Sequence, residues 1–347
     1  MHMADALLSP AVGGIMLGGA VAAGAYSVKK LKNGFDDSRI PLMGVAGAFV
    51  FAAQMINFTI PGTGSSGHLG GGILLAALIG PHAGYLAMAS ILLIQALFFA
   101  DGGLLAFGCN AINMGFLTCF LAYTLIYRPI AGRKTSGKRL AAASMLASVG
   151  GLQLGALAVV IETLLSGKSE LPFGTFLLFM QPIHLAIGLG EGLITSAVLL
   201  SVYKARPELL VQEPSEQTVG PARKWSGVVA GLAIAAVLTG GVVSWFASEY
   251  PDGLEWSIAN AAGQEEPEGA SSVHQTLAKI QESLAFLPDY GFKEGEAEQA
   301  AGTEASSSPV SLGTSVSGVT GGVLTLGLIA LIGGGISLAK KRKKVAA

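Results

Sequence analysis

Long apolar runs are the feature that most constrains how this 347-residue chain can fold. One of these stretches, residues 69–100, is interrupted at Gly80-Pro81-His82. Proline cannot continue a helix without losing a hydrogen bond, so we divide this stretch into a short and a longer span. The sequence therefore predicts an all-α polytopic membrane protein of about nine transmembrane helices. The other seven runs, each long enough to cross about 30 Å of hydrocarbon, lie near residues 11–28, 41–60, 104–127, 140–165, 174–203, 225–247 and 318–339.

The composition agrees with this class. Only 12% of the residues are charged, about half the share in a soluble domain, which argues against a water-soluble enzyme. A net charge of -1 argues against a nucleic-acid partner, because neutralising a phosphate backbone needs a basic surface. The sequence also lacks HExxH, GxSxG and GxxxxGK[ST] motifs, so we expect no enzyme activity and no ATPase site of its own.

Lysine and arginine predict the orientation in the membrane. Eighteen of the 21 lie in four segments, residues 29–40, 128–139, 204–224 and the C-terminal tail, which should therefore be cytoplasmic. Nine spans place all four basic segments in the cytoplasm if the N-terminus is outside and the break at residues 80–82 faces inward. No basic residue precedes the first apolar run, so we expect no signal peptide and an N-terminus exposed to the outside.

Composition also divides the chain. We expect a seven-helix part at 1–205, a cytoplasmic linker at 206–224, and a two-helix part at 225–347 around an acidic outer loop, 248–317. Apolar residues at three- and four-residue spacing predict a helix over about 272–287 within that loop. The loop's negative charge is either a solvated surface or a weak collector of cations near an entrance.

The N-terminus itself is a candidate metal ligand. The Met1 amine, the His2 amide nitrogen and the His2 imidazole can form three nitrogens in one plane, and His68 can fill the fourth corner. Four nitrogens in a square plane suit Ni(II) or Cu(II) better than Zn(II), Mg(II) or Ca(II). His68 lies in the glycine-rich loop PGTGSSGHLGGG, which can fold closely around a small site.

Two simpler explanations of these histidines stay open from the residues alone. A His-Met pair after the first residue is also typical of a cloning scar. The loop can equally be a flexible linker that carries one chance histidine.

Polar residues within or near the spans either line a path or join helices by hydrogen bonds. Along one face of the seventh span, we expect Glu191 to pair with His184. We expect Glu162 at the membrane interface, His82 in a structural role and His274 exposed in the outer loop. The residues that could support the site or form a polar stripe are Asn57, Ser66, Asn110, Asn113, Gln181, His184 and Glu191.

Four motifs in order, MHMADALLSPAVG, QMINFTIPGTGSSGHLGGG, GCNAINMG and PIHLAIGLGEGLIT, resemble the CbiM/NikM family over residues 1–205. That family supplies the substrate-binding (S) components of energy-coupling-factor transporters for nickel and cobalt. The resemblance implies that Met1, His2 and His68 hold the metal, which is the transported substrate rather than a catalytic cofactor. It also implies a transmembrane coupling (T) protein and two cytoplasmic ATPase subunits as partners, and it argues against a cloning scar.

The rest of the chain resembles a fused small subunit of the same systems, NikN, through PDGLEWS at 251–257 and LPDYGF at 287–292. We know of no ligand role to assign to these residues. The opening MHMADAL, in place of the MHIPDG more usual in cobalt proteins, favours nickel. The alternatives are Co(II) uptake for cobalamin synthesis, a self-sufficient channel or secondary transporter, and an intramembrane metal enzyme.

Overall fold

The computed structural model describes residues 1–34, 36–132, 135–168, 170–210, 226–263, 271–293 and 311–345. Most of the described chain is helical, as predicted. A two-stranded antiparallel hairpin, β1 (Phe58–Ile60) and β2 (Ser65–Gly67), lies between the second and third helices. The helices are α1 (Pro10–Gly34), α2 (Ile40–Gln54), α3 (Gly72–Ile79), α4 (Pro81–Phe99), α5 (Phe107–Ala131), α6 (Gly137–Leu165), α7 (Phe173–Ala205), α8 (Ser226–Gly241), α9 (Gly253–Ala262), α10 (Ser272–Leu284) and α11 (Leu312–Val345).

Six of these helices are long and apolar enough to cross a membrane: α1, α4, α5, α6, α7 and α11. The helices α2, α3 and α8 occupy three further predicted spans but are shorter, with 15, 8 and 16 residues. The polytopic all-α class is therefore confirmed, whereas the count of nine spans stays a prediction.

The predicted break between the third and fourth spans is present at Gly80. This residue has φ +86°, which favours glycine, and Pro81 begins α4. A Cβ atom at Gly84 would lie 3.0 Å from the backbone nitrogen of Ala76, so glycine lets α3 and α4 pack closely. The eight residues of α3 rise only about 12 Å, and the end of the glycine-rich loop before it is buried in the bundle.

The C-terminal helices pack against the first part of the chain rather than apart from it. Both α8 and α11 contact α2 and each other. A Cβ atom at Gly47 of α2 would lie 2.2 Å from Cδ1 of Ile329 in α11, so the small residue permits this close approach. The two predicted parts consequently share one packed interior.

The predicted acidic loop is partly helical. The helix expected over 272–287 is confirmed as α10, and α9 forms upstream of it without having been predicted. The predicted linker lies largely outside the described residues, as do 264–270 and 294–310 of the loop.

Candidate metal-binding site

The first residues of the chain are anchored inside the bundle. The Met3 backbone N–H donates to Oδ1 of Asn110 at 2.8 Å, and Nδ2 of Asn110 donates to the Met3 carbonyl at 3.2 Å. Oδ1 of Asp5 accepts from the Ala106 N–H at 2.9 Å. These contacts hold the Met1 amine in place, and its residue is only 6% exposed. Asn110, predicted as part of a polar stripe, thus fixes the N-terminal segment.

The glycine-rich loop is anchored just as firmly. The Ser66 hydroxyl donates to the carbonyl of Tyr250 at 2.7 Å. The N–H groups of Gly70 and Gly71 donate to the two carboxylate oxygens of Glu191 at 3.1 and 3.0 Å. His68 lies between these anchors, directly after β2, so its ring is held by structure on both sides. This is not the geometry of a flexible linker.

The nitrogens of the predicted trio come together at this point. The Met1 amine lies 2.9 Å from Nε2 of His68, whose Nδ1 donates to the Leu69 carbonyl at 3.2 Å. The rings of His2 and His68 are stacked, with centroids 5.0 Å apart and planes 17° apart. The side chains of His2 and His68 are 7% and 8% exposed, so two imidazoles and an amine are buried in one cluster.

Asp252 belongs to the same cluster, although no sequence pattern predicted a role for it there. Its Oδ2 accepts from the Met1 amine and forms an ion pair with it. Its Oδ1 caps α9 by accepting from the N–H groups of Leu254 and Glu255 at 2.8 and 3.0 Å. The sequence held a signal only for the capping role: an Asp three positions before Glu, as in PDGLE, is typical of a helix start. It held none for the contact with Met1.

Asp101 holds the other side of the cluster. Its Oδ1 lies 3.2 Å from Nδ1 of His2, and its Oδ2 accepts from the Tyr290 hydroxyl. The predicted planar chelate requires Nδ1, because only this nitrogen closes a six-membered ring with the His2 amide nitrogen. Since Nδ1 faces Asp101, that chelate is not formed in this arrangement. Within the described chain, Nε2 of His2 has no hydrogen-bond partner.

Burial sets the charges in the cluster. Burial and the adjacent N-terminal charge lower the pKa values of both His2 and His68 from 6.5 to about 3, so both imidazoles are neutral at pH 7. Burial alone would raise the pKa of the Asp252 carboxyl, but the ammonium charge and its hydrogen bond bring that pKa well below its ordinary range. Neutral imidazoles carry lone pairs that can bind a metal.

The cluster does not contain three metal-binding side chains already at ligand spacing. Across the residues that the structure describes, no group of three His, Cys, Asp or Glu side chains is placed to hold an ion together. A site here depends on the N-terminal amine as well as on side chains.

Two cavities meet at the cluster. On one side lies a polar cavity of about 430 Å³, lined by His2, His68 and Asp252 and by further carboxylates, among them Asp101 and Glu255. On the other lies a small cavity of about 10 Å³, which extends toward the membrane helices. Its lining residues are Met1, Gly67, His68, Gly70, Met114, Leu152, His184, Ile187, Asp252 and Gly253.

The other predicted polar residues mostly join helices. Gln181 of α7 exchanges hydrogen bonds with Gln153 of α6 through side-chain nitrogen and backbone oxygen, at 3.3 and 2.9 Å. Nδ2 of Asn113 donates to Glu162 at 2.8 Å. The Asn57 carbonyl accepts from the Ser248 N–H at 2.7 Å. Asn57 also lines the polar cavity.

Three expectations about polar residues were wrong: those for Glu191, Glu162 and His274. Glu191 pairs with the loop N–H groups rather than with His184, whose Nδ1 donates instead to the Met180 carbonyl at 2.8 Å. Glu162 is 4% exposed, because Asn113 gives its carboxylate a buried partner.

His274 was expected to be exposed, but it is 7% exposed. Its Nε2 lies 3.0 and 2.9 Å from the carbonyls of Asp5 and Leu8. The helix α10 thereby packs against the N-terminal segment, and His274 helps to hold the start of the chain rather than facing solvent.

Comparisons with known proteins agree with this architecture. The family model CbiM, described as "Cobalt uptake substrate-specific transmembrane region", matches residues 2–209, and the PDGLE domain model matches residues 226–338. A "Fused nickel transport protein NikMN" of Rhodobacter capsulatus is 29% identical, over 84% of this chain and 88% of its own.

Two further relatives extend the comparison. A "Probable fused nickel transport protein LarMN" of Lactiplantibacillus plantarum is 34% identical, over 69% of this chain and 74% of its own. A crystal structure of a truncated transition metal transporter is 31% identical with a TM-score of 0.52, over 59% of this chain and 99% of that one. The chain belongs to the CbiM family of metal transport components and carries a PDGLE domain in the same polypeptide.

Proposed function

We propose that this protein captures Ni(II) at the outer face of the membrane and delivers it inward as the substrate-binding component of an ATP-driven energy-coupling-factor importer. The observation that carries the proposal is the buried contact of 2.9 Å between the Met1 amine and Nε2 of His68, beside the stacked ring of His2. Amine and imidazole nitrogens are ligands that Ni(II) and other late divalent metals favour.

The ligand set would be the Met1 amine, the amide nitrogen and Nδ1 of His2, and Nε2 of His68. Binding then requires proton loss and two exchanges of partner. The Met1 amine and the His2 amide each lose a proton to water, and the amine leaves Oδ2 of Asp252. The His2 ring turns so that Nδ1 leaves Asp101 for the ion, with the ring proton on Nε2. Both carboxylates stay close to the ion, where their negative charge offsets part of its positive charge.

The polar cavity would be the entrance. It reaches His2 and His68 and is lined by several carboxylates, whose field favours a divalent cation. Glu255 and Asp289 of the PDGLE part are among these carboxylates, which supports a role for that part in attracting the ion.

The proposed orientation has the N-terminus outside and the C-terminus in the cytoplasm. Two contacts at the opposite end of the bundle support it, because they gather the basic segments there. The Ser337 hydroxyl donates to Asp37 at 2.7 Å, and the Tyr203 hydroxyl donates to the Thr135 carbonyl at 2.9 Å. We retain 1–205, 206–224 and 225–347 as the proposed division of the chain.

Energy coupling would come from partners, the T protein and two ATPase subunits. The first helix offers a smooth face to such a partner or to lipid. Apart from the helix's own adjacent backbone, no described atom lies within 4 Å of a Cβ built at Gly14, Gly18 or Gly19. Co(II) uptake is the second candidate, because the matched family is described by cobalt uptake.

Uptake of radioactive nickel by cells that produce the chain with its coupling protein and ATPases tests this function. We expect accumulation that requires the ATPases and is lost in His68→Ala. His82→Ala is the matched control, since His82 packs against Tyr26 and Phe120 away from the cluster, and it should transport normally. Undiminished uptake without the ATPases would support a self-sufficient transporter instead, and cobalt accumulation in place of nickel would favour the second candidate.

A further inference from the structure

The cluster forms a partition between the two cavities. His68 and Asp252 line both of them, whereas His2 lines only the polar cavity and Met1 only the small cavity. An ion held by the Met1, His2 and His68 nitrogens therefore sits between an open polar space and a small space within the helices.

His184 is the polar side chain that α7 contributes to the small cavity. Its residue is 1% exposed, and its Nδ1 donates to the Met180 carbonyl at 2.8 Å. Because the proton sits on Nδ1, Nε2 carries a lone pair. Among the described residues this Nε2 has no hydrogen-bond partner, although an unpaired buried polar atom destabilises a fold.

Glycine keeps the space in front of His184 open. A Cβ atom at Gly253, next to Asp252, would lie 3.4 Å from Nε2 of His184 and 3.2 Å from its Cε1. Any side chain at that position would contact the imidazole edge. The PDGLE motif thus supplies both a carboxylate that faces the cluster and an adjacent residue small enough to leave Nε2 accessible.

The remaining walls of the small cavity offer Nε2 of His184 no hydrogen-bond partner. Met114, Leu152 and Ile187 contribute apolar side chains that cannot satisfy Nε2. The space of about 10 Å³ has room for one water molecule or one cation. The His184 lone pair, the His68 imidazole and the Asp252 carboxylate all line this space, and nitrogen donors of this kind suit a late divalent transition metal.

We propose that Nε2 of His184 is a further ligand of the transported ion, at an inner position that the ion reaches after the outer nitrogen set. This inference rests on the proposed function. The step is a ligand exchange without electron transfer. Nε2 of His184 replaces the nitrogens of Met1 and His2, and His68 remains bound from the shared wall. The freed amine and the freed His2 amide each take a proton from water. His184 is thus the first inner ligand on the path through the helices.

The test separates capture from delivery. In His184→Leu we expect the nickel absorption of the outer site and its affinity to stay within about threefold of the wild type, whereas uptake by the complete transporter falls at least about tenfold. His184→Cys, which restores a metal-binding atom, should recover uptake. The matched control Gln181→Leu, on the same helix but paired with Gln153, should keep both properties.

A direct measurement uses Co(II) and a chain extended before Met1, which disables the outer set. We expect weak Co(II) binding that His184→Leu removes. Wild-type uptake in His184→Leu would overturn the proposal and leave the cavity as the place of a bound water. Loss of both capture and uptake, without rescue by cysteine, would make His184 structural. Absence of any nickel absorption in the wild type would instead contradict the proposed function.

Discussion

The N-terminal cluster and the polar stripe along α7, His184 apart, both hold polar side chains within the bundle, but they satisfy them differently. In the stripe, Gln181 bonds Gln153 of the neighbouring helix, and Glu191 accepts two backbone N–H groups of the glycine-rich loop. In the cluster, His2 and His68 bring lone pairs to a chain terminus held by a carboxylate. Pairing with backbone groups or a neighbouring amide indicates a structural role, whereas two buried imidazoles and an amine gathered beside one carboxylate indicate a ligand site.

The largest effect should come from extending the chain with Gly-Ser before Met1. The extension removes the free amine and displaces the ion pair with Asp252, so nickel affinity should fall by about a hundredfold or more. Equilibrium titration of the purified protein measures it. The same dipeptide added after Ala347 is the control, and an N-terminal extension that bound nickel normally would break the comparison.

A second prediction concerns pH. The folded-state pKa values of His2 and His68 are about 3 against 6.5 when unfolded, so the unfolded chain binds more protons between these values. Their burial therefore destabilises the fold as pH falls from about 6.5 toward 3. The melting temperature in detergent should drop more steeply over pH 7–4 in the wild type than in a His2→Gln, His68→Gln double variant. Parallel curves would show that the two rings are not buried as neutral groups.

The smallest effect is expected in the stripe. Gln181→Leu removes one interhelical hydrogen bond, from the Gln181 side chain of α7 to the Gln153 carbonyl of α6, and should lower the free energy of unfolding by about 0.6 kcal/mol. Nickel affinity should not change. A large loss of affinity in this variant would place Gln181 on the metal path as well and contradict its structural role.

The sequence was sufficient for features that repeat along the chain or lie at its start. Apolar runs predicted the spans, and proline after Gly80 predicted the break, because both signals are local. The trio of Met1, His2 and His68 followed from nitrogen chemistry and from a family resemblance.

Contacts between distant segments were not predictable in the same way. Asp252 lies 251 residues from Met1, and Tyr290 lies 189 residues from Asp101. Polar loops have no periodicity that reveals which distant residues they meet, so these partners, and the burial of His274, emerged only from the packing of the PDGLE part. The pairing of Glu191 was missed for the same reason, since its partners are backbone N–H groups of a loop.

The most direct test of the central claim is a Ni(II) titration of the purified chain with its authentic start, followed by visible absorption, beside His2→Ala. We predict a yellow, diamagnetic nickel complex in the wild type, as expected for four nitrogens in a plane, and its disappearance in the variant. A complex of the same colour and affinity in His2→Ala, or no binding by the wild type, would contradict a metal site at the N-terminus.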